Sequence, residues 1–161
     1  MDMNSGAVLY AKKAEEKRYP ASITKVLSVL TALQYAKMSD TVVFSEDSNS
    51  FLQWDDAQIG MKPGEEISME SALYGMLLAS ANEVSYAVAE NVGKQYLNGG
   101  YAEFIEEMNR ISQELGCTSS NWVNANGLHD DNHYTTAHDM ARIAAAAYQN
   151  EEFRRPVSYT H

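Results

Sequence analysis

A single cysteine, Cys117, stands in 161 residues. One thiol can neither close an intrachain disulfide nor supply a thiolate cluster for zinc, so both staples of small domains are excluded and the redox compartment stays open. Basic residues are scarce as well, 12 against 22 acidic ones, for a formal charge of -10. A surface of that sign repels phosphate backbones and excludes nucleic acid as the main partner. No apolar run approaches the roughly 18 residues of a membrane span. The N-terminus, MDMNSGAVLY, has no basic stretch followed by an apolar one, so neither an export signal nor an anchor is written in the chain. Repeats, low-complexity tracts and interdomain linkers are missing too. Residues 1–161 are expected to form a single domain, and 45% hydrophobic content is enough for a substantial core.

Turn formers and apolar spacing divide the rest. MDMNSGAVLYAK reads as the end of one strand, a turn at Asn4-Ser5-Gly6 and a second strand through Val8 and Tyr10, an N-terminal β-hairpin. Pro20 precedes a helix over residues 22–37, whose apolar positions Val26, Leu27, Val29, Leu30 and Leu33 cover more than one face and predict a central element. DTVVFS suits a short strand, and SFLQWDDAQIGMKPGEE is a loop-rich connection. Ser68 can cap the next helix, through Leu73, Met76, Leu77 and Leu78; the pattern pauses at Ser80-Ala81-Asn82 and resumes through Val84, Val88 and Val92. A helix over 101–115 ends at Gly116, a residue suited to the left-handed C-cap. After the irregular CTSSNWVNANGLHDDNHYTT, Thr135 or Thr136 caps a last helix through Met140, Ile143 and Ala147. Trp54 and Trp122 are read as packing residues, Met69, Met76 and Met108 as core, and Glu103, Glu106 and Glu107 as a solvated helix face. The sum is an α+β chain whose hairpin wants more strands than the sequence provides.

The chemistry concentrates in RYPASITKVLSVL. Residues i and i+3 share a helix face, so Ser22 Oγ and the Lys25 amine can come within hydrogen-bond reach, with the positive end of the helix at the serine. That suits a nucleophile with an adjacent base. A lysine of pKa about 10.4 costs about 4.6 kcal/mol to present neutral at pH 7. Burial can lower it by up to about 3–5 pKa units, and the apolar run from Val26 to Leu30 supplies the burial. Ser-x-x-Lys arises by accident in roughly every second chain of this length, with the serine as a plain N-cap. The second piece is Ser80-Ala81-Asn82, where a hydroxyl can relay a proton and a carboxamide two residues on can hold a substrate amide or the lysine. Ser119-Ser120-Asn121 matches the same pattern, so context must choose between them.

GAVLYAK, RYPASITK, MLLASANEVSYAVAE and NANGLHDDNHYTTAHDMARIA, in that order, resemble the low-molecular-mass D-alanyl-D-alanine carboxypeptidases of serine peptidase family S11. These share Ser-x-x-Lys, a Ser-x-Asn element and Lys-Thr-Gly with other penicillin-binding proteins and class A β-lactamases. The resemblance implies the β-lactamase/penicillin-binding-protein-like DD-peptidase fold and no cofactor. It implies Ser22 as the acyl-enzyme nucleophile, Lys25 as its general base, and Ser80 with Asn82 as the second element, Asn82 binding substrate. The substrate would be a peptidoglycan stem peptide ending in D-Ala-D-Ala, and β-lactam antibiotics would acylate the same serine. An extracytoplasmic location follows, in the periplasm or on the outer face of the cytoplasmic membrane.

One element of the pattern is missing. No Lys-Thr-Gly occurs; Lys62-Pro63-Gly64 lies between the first two motifs with proline where a hydroxyl is needed. The expectation is a fragment of such an enzyme, cut at both ends, whose strands, signal and any membrane-anchoring segment lie outside this chain. Two other functions compete: a serine β-lactamase, and a non-catalytic penicillin- or peptidoglycan-binding module. A metal site is a third idea, from His129, Asp130, Asp131, His133, His138 and Asp139, but Asn132, Tyr134 and the threonine cap interrupt the helix it needs. Turn formers with an N-cap account for the segment more simply, and against the family pattern it is a loop near the cleft, with His129 orienting its neighbours.

Overall fold

Helix α1 (Thr24–Ala32) is the axis of the molecule. Of its nine residues only Val26 escapes burial, as apolar positions on more than one face require. Around it pack α3 (Met69–Leu78), α4 (Asn82–Tyr96), α5 (Tyr101–Glu114) and α6 (Ala137–Tyr148). The computed structural model describes residues 1–159; Thr160 and His161 of the expected domain lie outside the described residues. None of the described helices is long and apolar enough to cross a membrane.

The expected DTVVFS strand forms as β1 (Thr41–Val43), antiparallel to β2 (Glu66–Ser68), with Val42 opposite Ile67 and buried. A short α2 (Asp47–Ser50) and the loop of residues 51–65 connect them. Ser68 closes β2 and accepts the Ser71 N–H, capping α3 as read from sequence. Thr136 does the same for α6 by accepting from Asp139 N–H. Gly116 follows α5 at φ +77°, in the left-handed region expected of it. Met69, Met76 and Met108 are all buried.

Four expectations change. The N-terminal segment makes its turn, with Gly6 N–H donating to Asp2 O at 3.0 Å, but no ladder follows it, and Leu9 and Tyr10 are more than three-quarters exposed. Two strands alone bury too little to hold, and no further strand lies beside them among the described residues. The first helix ends at Ala32 rather than residue 37, because three-residue bonds from Gln34 to Thr31 and from Tyr35 to Ala32 tighten and close it. An additional helix, α7 (Glu151–Ser158), follows α6 and packs on α3 through its buried Phe153 and Pro156. Asn150 caps it by accepting Glu152 N–H. Trp54 is 93% exposed in the loop of residues 51–65, not a packing residue, whereas Trp122 is buried and its indole donates to Ser112 Oγ at 3.0 Å.

Candidate active site

A tight bend delivers the serine. Ala21 sits at φ +50° and opens a single 3-10 turn, Ala21–Ile23, that runs directly into α1. A left-handed alanine costs roughly 1–2 kcal/mol, a strain that is kept where the surroundings fix it. Gly127 fixes it here. A Cβ on Gly127 would stand 1.9 Å from Ala21 O and 2.9 Å from Ser22 N, so only glycine lets the loop of residues 123–128 press against the bend. The bend leaves Ser22 exposed while Lys25, one turn on, is 2% exposed.

The Lys25 ammonium group reaches three acceptors: Asn126 O at 2.7 Å, Asn82 Oδ1 at 2.8 Å and Ser22 Oγ at 3.3 Å. These join α1, α4 and the 123–128 loop at one nitrogen. Burial pushes the amine down from 10.5 to about 8, against the opposite pull of Glu83 and then Asp56. Presenting it neutral at pH 7 then costs about 1 kcal/mol rather than about 5. The group can therefore act as a base near neutrality.

Ser80 occupies the corner between α3 and α4 at φ +56°. Its Oγ is buried and has no hydrogen-bond partner among the described residues, a deficit of roughly 1–3 kcal/mol. It is not bonded to Ser22 or Lys25; Asn82, two residues on, is what ties this corner to the amine. Asn82 N–H is itself anchored to Ala57 O at 2.8 Å. The rival triplet stays out of the cluster: Ser119 N–H and Ser120 Oγ bond the Asp139 carboxylate, and Asn121 pairs with Tyr134. Lys62-Pro63-Gly64 is a turn, closed by Glu65 N–H to Lys62 O.

The histidines and acids of GLHDDNHYTTAHD are dispersed. His138 meets Glu15, Asp139 caps the 119–120 loop, and His129 packs edge-on against Tyr19, whose hydroxyl donates to Asp131. Among the described residues no group of three or more His, Cys, Asp or Glu is arranged to hold a metal. His133 is buried and structural: Nδ1 accepts Val123 N–H at 3.1 Å, so the neutral ring carries its proton on Nε2 and donates it to Thr24 Oγ1 at 2.8 Å. Burial lowers its pKa from 6.5 to about 4, with Asp130 opposing. The neutral ring therefore contributes stability that is present above pH 6.5 and lost as pH falls towards 4, about 3 kcal/mol in all. Urea titrations at pH 7 and pH 4 should show this loss in the native chain and a smaller one in His133→Gln; equal losses would assign the acid sensitivity elsewhere.

Three participants escaped the sequence reading. Asn126 acts through its main-chain carbonyl, Gly127 through having no side chain, and Glu83 from inside the core. Only the Asn-Gly dipeptide, a turn signal, marked any of them.

The family model described as D-alanyl-D-alanine carboxypeptidase, Peptidase_S11, matches residues 1–157. D-alanyl-D-alanine carboxypeptidase DacF of Bacillus subtilis is 34% identical over 160 residues, covering 96% of this chain and 39% of that protein. Of solved structures, the D-alanyl-D-alanine carboxypeptidase from Mycobacterium tuberculosis H37Rv superposes with a TM-score of 0.86 at 30% identity, covering 96% of this chain and 56% of its own. Penicillin binding protein 5 from Haemophilus influenzae gives 0.83 at 28%, with 94% and 45% covered. The chain thus spans about two-fifths of DacF, and its mostly helical architecture with a small sheet is a portion of the penicillin-binding DD-peptidase fold. A family match along nearly the whole chain, together with shared architecture, establishes that this chain belongs to the D-alanyl-D-alanine carboxypeptidase family, Peptidase_S11.

Proposed function

We propose that the chain carries the acylation machinery of a serine-type D-Ala-D-Ala carboxypeptidase. The observation that carries this reading is the buried Lys25 amine, bonded at once to Ser22 Oγ and Asn82 Oδ1. Neutral Lys25 takes the Ser22 hydroxyl proton as Oγ bonds to the carbonyl carbon of the penultimate D-alanine. The tetrahedral adduct collapses when the leaving nitrogen receives the proton that Lys25 took, with Ser80 Oγ, unpartnered in the free protein, relaying it once substrate fills the gap. The C–N bond breaks, the terminal D-alanine departs, and Ser22 is left as an ester. Water then adds to the ester, gives its proton to the same amine, and releases the shortened peptide with Ser22 reprotonated. Asn82 holds the amine in line and offers its amide to the substrate.

The substrate is a peptidoglycan stem peptide, and the reaction therefore belongs outside the cytoplasmic membrane. A β-lactam, whose strained amide imitates the same bond, acylates the same oxygen. The test is intact-mass spectrometry of the chain after incubation with a penicillin. A single adduct of one penicillin mass is expected, and none in Ser22→Ala; an adduct that survives the substitution would assign the nucleophile elsewhere. One second reading is a module that acylates without turnover, favoured by Ser80 Oγ having no hydrogen-bond partner among the described residues to relay protons with. It is distinguished by a stable adduct with no release of D-alanine or of hydrolysed penicillin.

A further inference from the structure

Glu83 is a charged side chain in the core that the proposed mechanism leaves without a task. It is fully buried in the first turn of α4, next to Asn82. One carboxylate oxygen accepts two main-chain donors from the 51–65 loop, Ile59 N–H at 2.7 Å and Gly60 N–H at 3.1 Å. The other, Oε2, is buried with no partner. A buried carboxylate half-satisfied in this way is costly to keep if its only purpose is to hold a loop, since a neutral amide oxygen accepts the same two bonds.

Its surroundings suggest what the charge is for. Asn82, the adjacent residue, is bonded on one side to Lys25 Nζ and on the other, through its N–H, to Ala57 O. The loop is thus fastened to the start of α4 at residues 57, 59 and 60, and that start carries the side chain that grips the amine. Lys25 is bonded to Ser22 from the 3-10 turn, Asn82 from α4 and the Asn126 carbonyl from the 123–128 loop, while Glu83 of α4 and Asp56 of the fastened loop act on it through their charge. Of these only Glu83 and Asp56 bear charge, and Glu83 exerts the stronger pull on the ammonium form.

We infer that Glu83 is a positioning residue for the Lys25 base: it pins the 57–60 stretch to the second motif and supplies a fixed negative charge behind the amine. The inference rests on the proposed role of Lys25, and it adds a division of labour. Burial drives the amine towards neutrality, and Glu83 limits how far it goes, keeping a proton available to hand to the leaving group.

The two parts separate by substitution. Glu83→Gln keeps an acceptor for Ile59 and Gly60 and removes the charge, while Glu83→Ala removes both. With lysine labelled at 13Cε, the Lys25 resonance of the full chain is titrated by NMR, and amide hydrogen exchange is followed at Ile59 and Gly60. In Glu83→Gln the Lys25 midpoint should move to lower pH by about one unit, with exchange at the two amides within about threefold of native. In Glu83→Ala exchange there should rise at least about tenfold. An unmoved midpoint in Glu83→Gln overturns the charge role, and native exchange in Glu83→Ala overturns the fastening. Neither readout depends on acylation. Penicillin adduct formation at Ser22, measured alongside, reports separately on the carboxypeptidase reading, and its failure would leave the titration result standing.

Discussion

Lys25→Ala should slow penicillin acylation of Ser22 by about 10²–10⁴ at pH 8, the range a positioned general base supplies. Among the described residues no other base is bonded to Ser22 Oγ. The other two partners of the amine are an amide oxygen and a main-chain carbonyl, both weak bases, and neither Glu83 nor Asp56 bonds Ser22. The variant should remain folded, because the substitution has opposing effects on stability. It leaves Asn82 Oδ1 and Asn126 O without their donor, and it also removes a cation held in a site that disfavours its charge.

The pH dependence provides the sharper form of the expectation. A base with a pKa of about 8 makes the acylation rate of the native chain rise tenfold per pH unit below that point and level off above it. Lys25→Arg should not restore the rate, since a guanidinium keeps its proton throughout this range. Stopped-flow or quenched mass measurements of adduct formation from pH 5.5 to 9.5 check both statements. Undiminished acylation by Lys25→Ala would remove Lys25 from the role of base.

Gly127→Ala should be a severely damaging single-methyl change at the site. Its Cβ would overlap the Ala21 carbonyl, and the backbone there already stands at φ +91°. Main chain opposes main chain, so no side chain can swing aside; either the 123–128 loop retreats, taking Asn126 O from Lys25, or the Ala21 bend moves and shifts Ser22. A loss of about 3 kcal/mol or more is expected from the overlap together with the conformation. Acylation should fall about 10²-fold even in the folded fraction, because a displacement near 1 Å at a nucleophile is enough for that. Gly64→Ala is the control: φ is +85°, but open space surrounds the position, so only the conformational cost of about 1 kcal/mol applies. Thermal unfolding and adduct rates of the two variants separate them. Equal behaviour would mean that the contact with Ala21 plays no part.

What the sequence made legible is what depends on side chains at short spacing. Ser68 and Thr136 as caps, Gly116 as a terminator, the centrality of α1 and the meeting of Ser22, Lys25 and Asn82 all follow from residue type and periodicity within one or two turns, or from a resemblance carried by such blocks. Less legible was whatever depends on a distant partner. Val8 and Tyr10 have strand character, but a strand exists only when a neighbour supplies its ladder. Asn126 contributes a carbonyl that every residue type possesses, so no letter announces it. Glu83 reads as an ordinary acid on a helix until the loop of residues 51–65 is seen folded over it. Trp54 misled for the opposite reason: a large indole is usually covered, and here nothing covers it.

That bare indole gives the molecule two colours of fluorescence. Trp54 at 93% exposure should emit at the red wavelengths of an indole in water, and Trp122 at 1% should emit to the blue, shielded in the core. The first reports the loop that carries Ala57, Ile59 and Gly60 to the second motif, the second the packing of α5 against the 123–128 loop. A ligand that reorders the 51–65 loop on settling beside Asn82 would alter the red component, whereas unfolding would move the blue component as well. Occupancy of the cleft and loss of structure are therefore distinguishable in one cuvette, with no label attached.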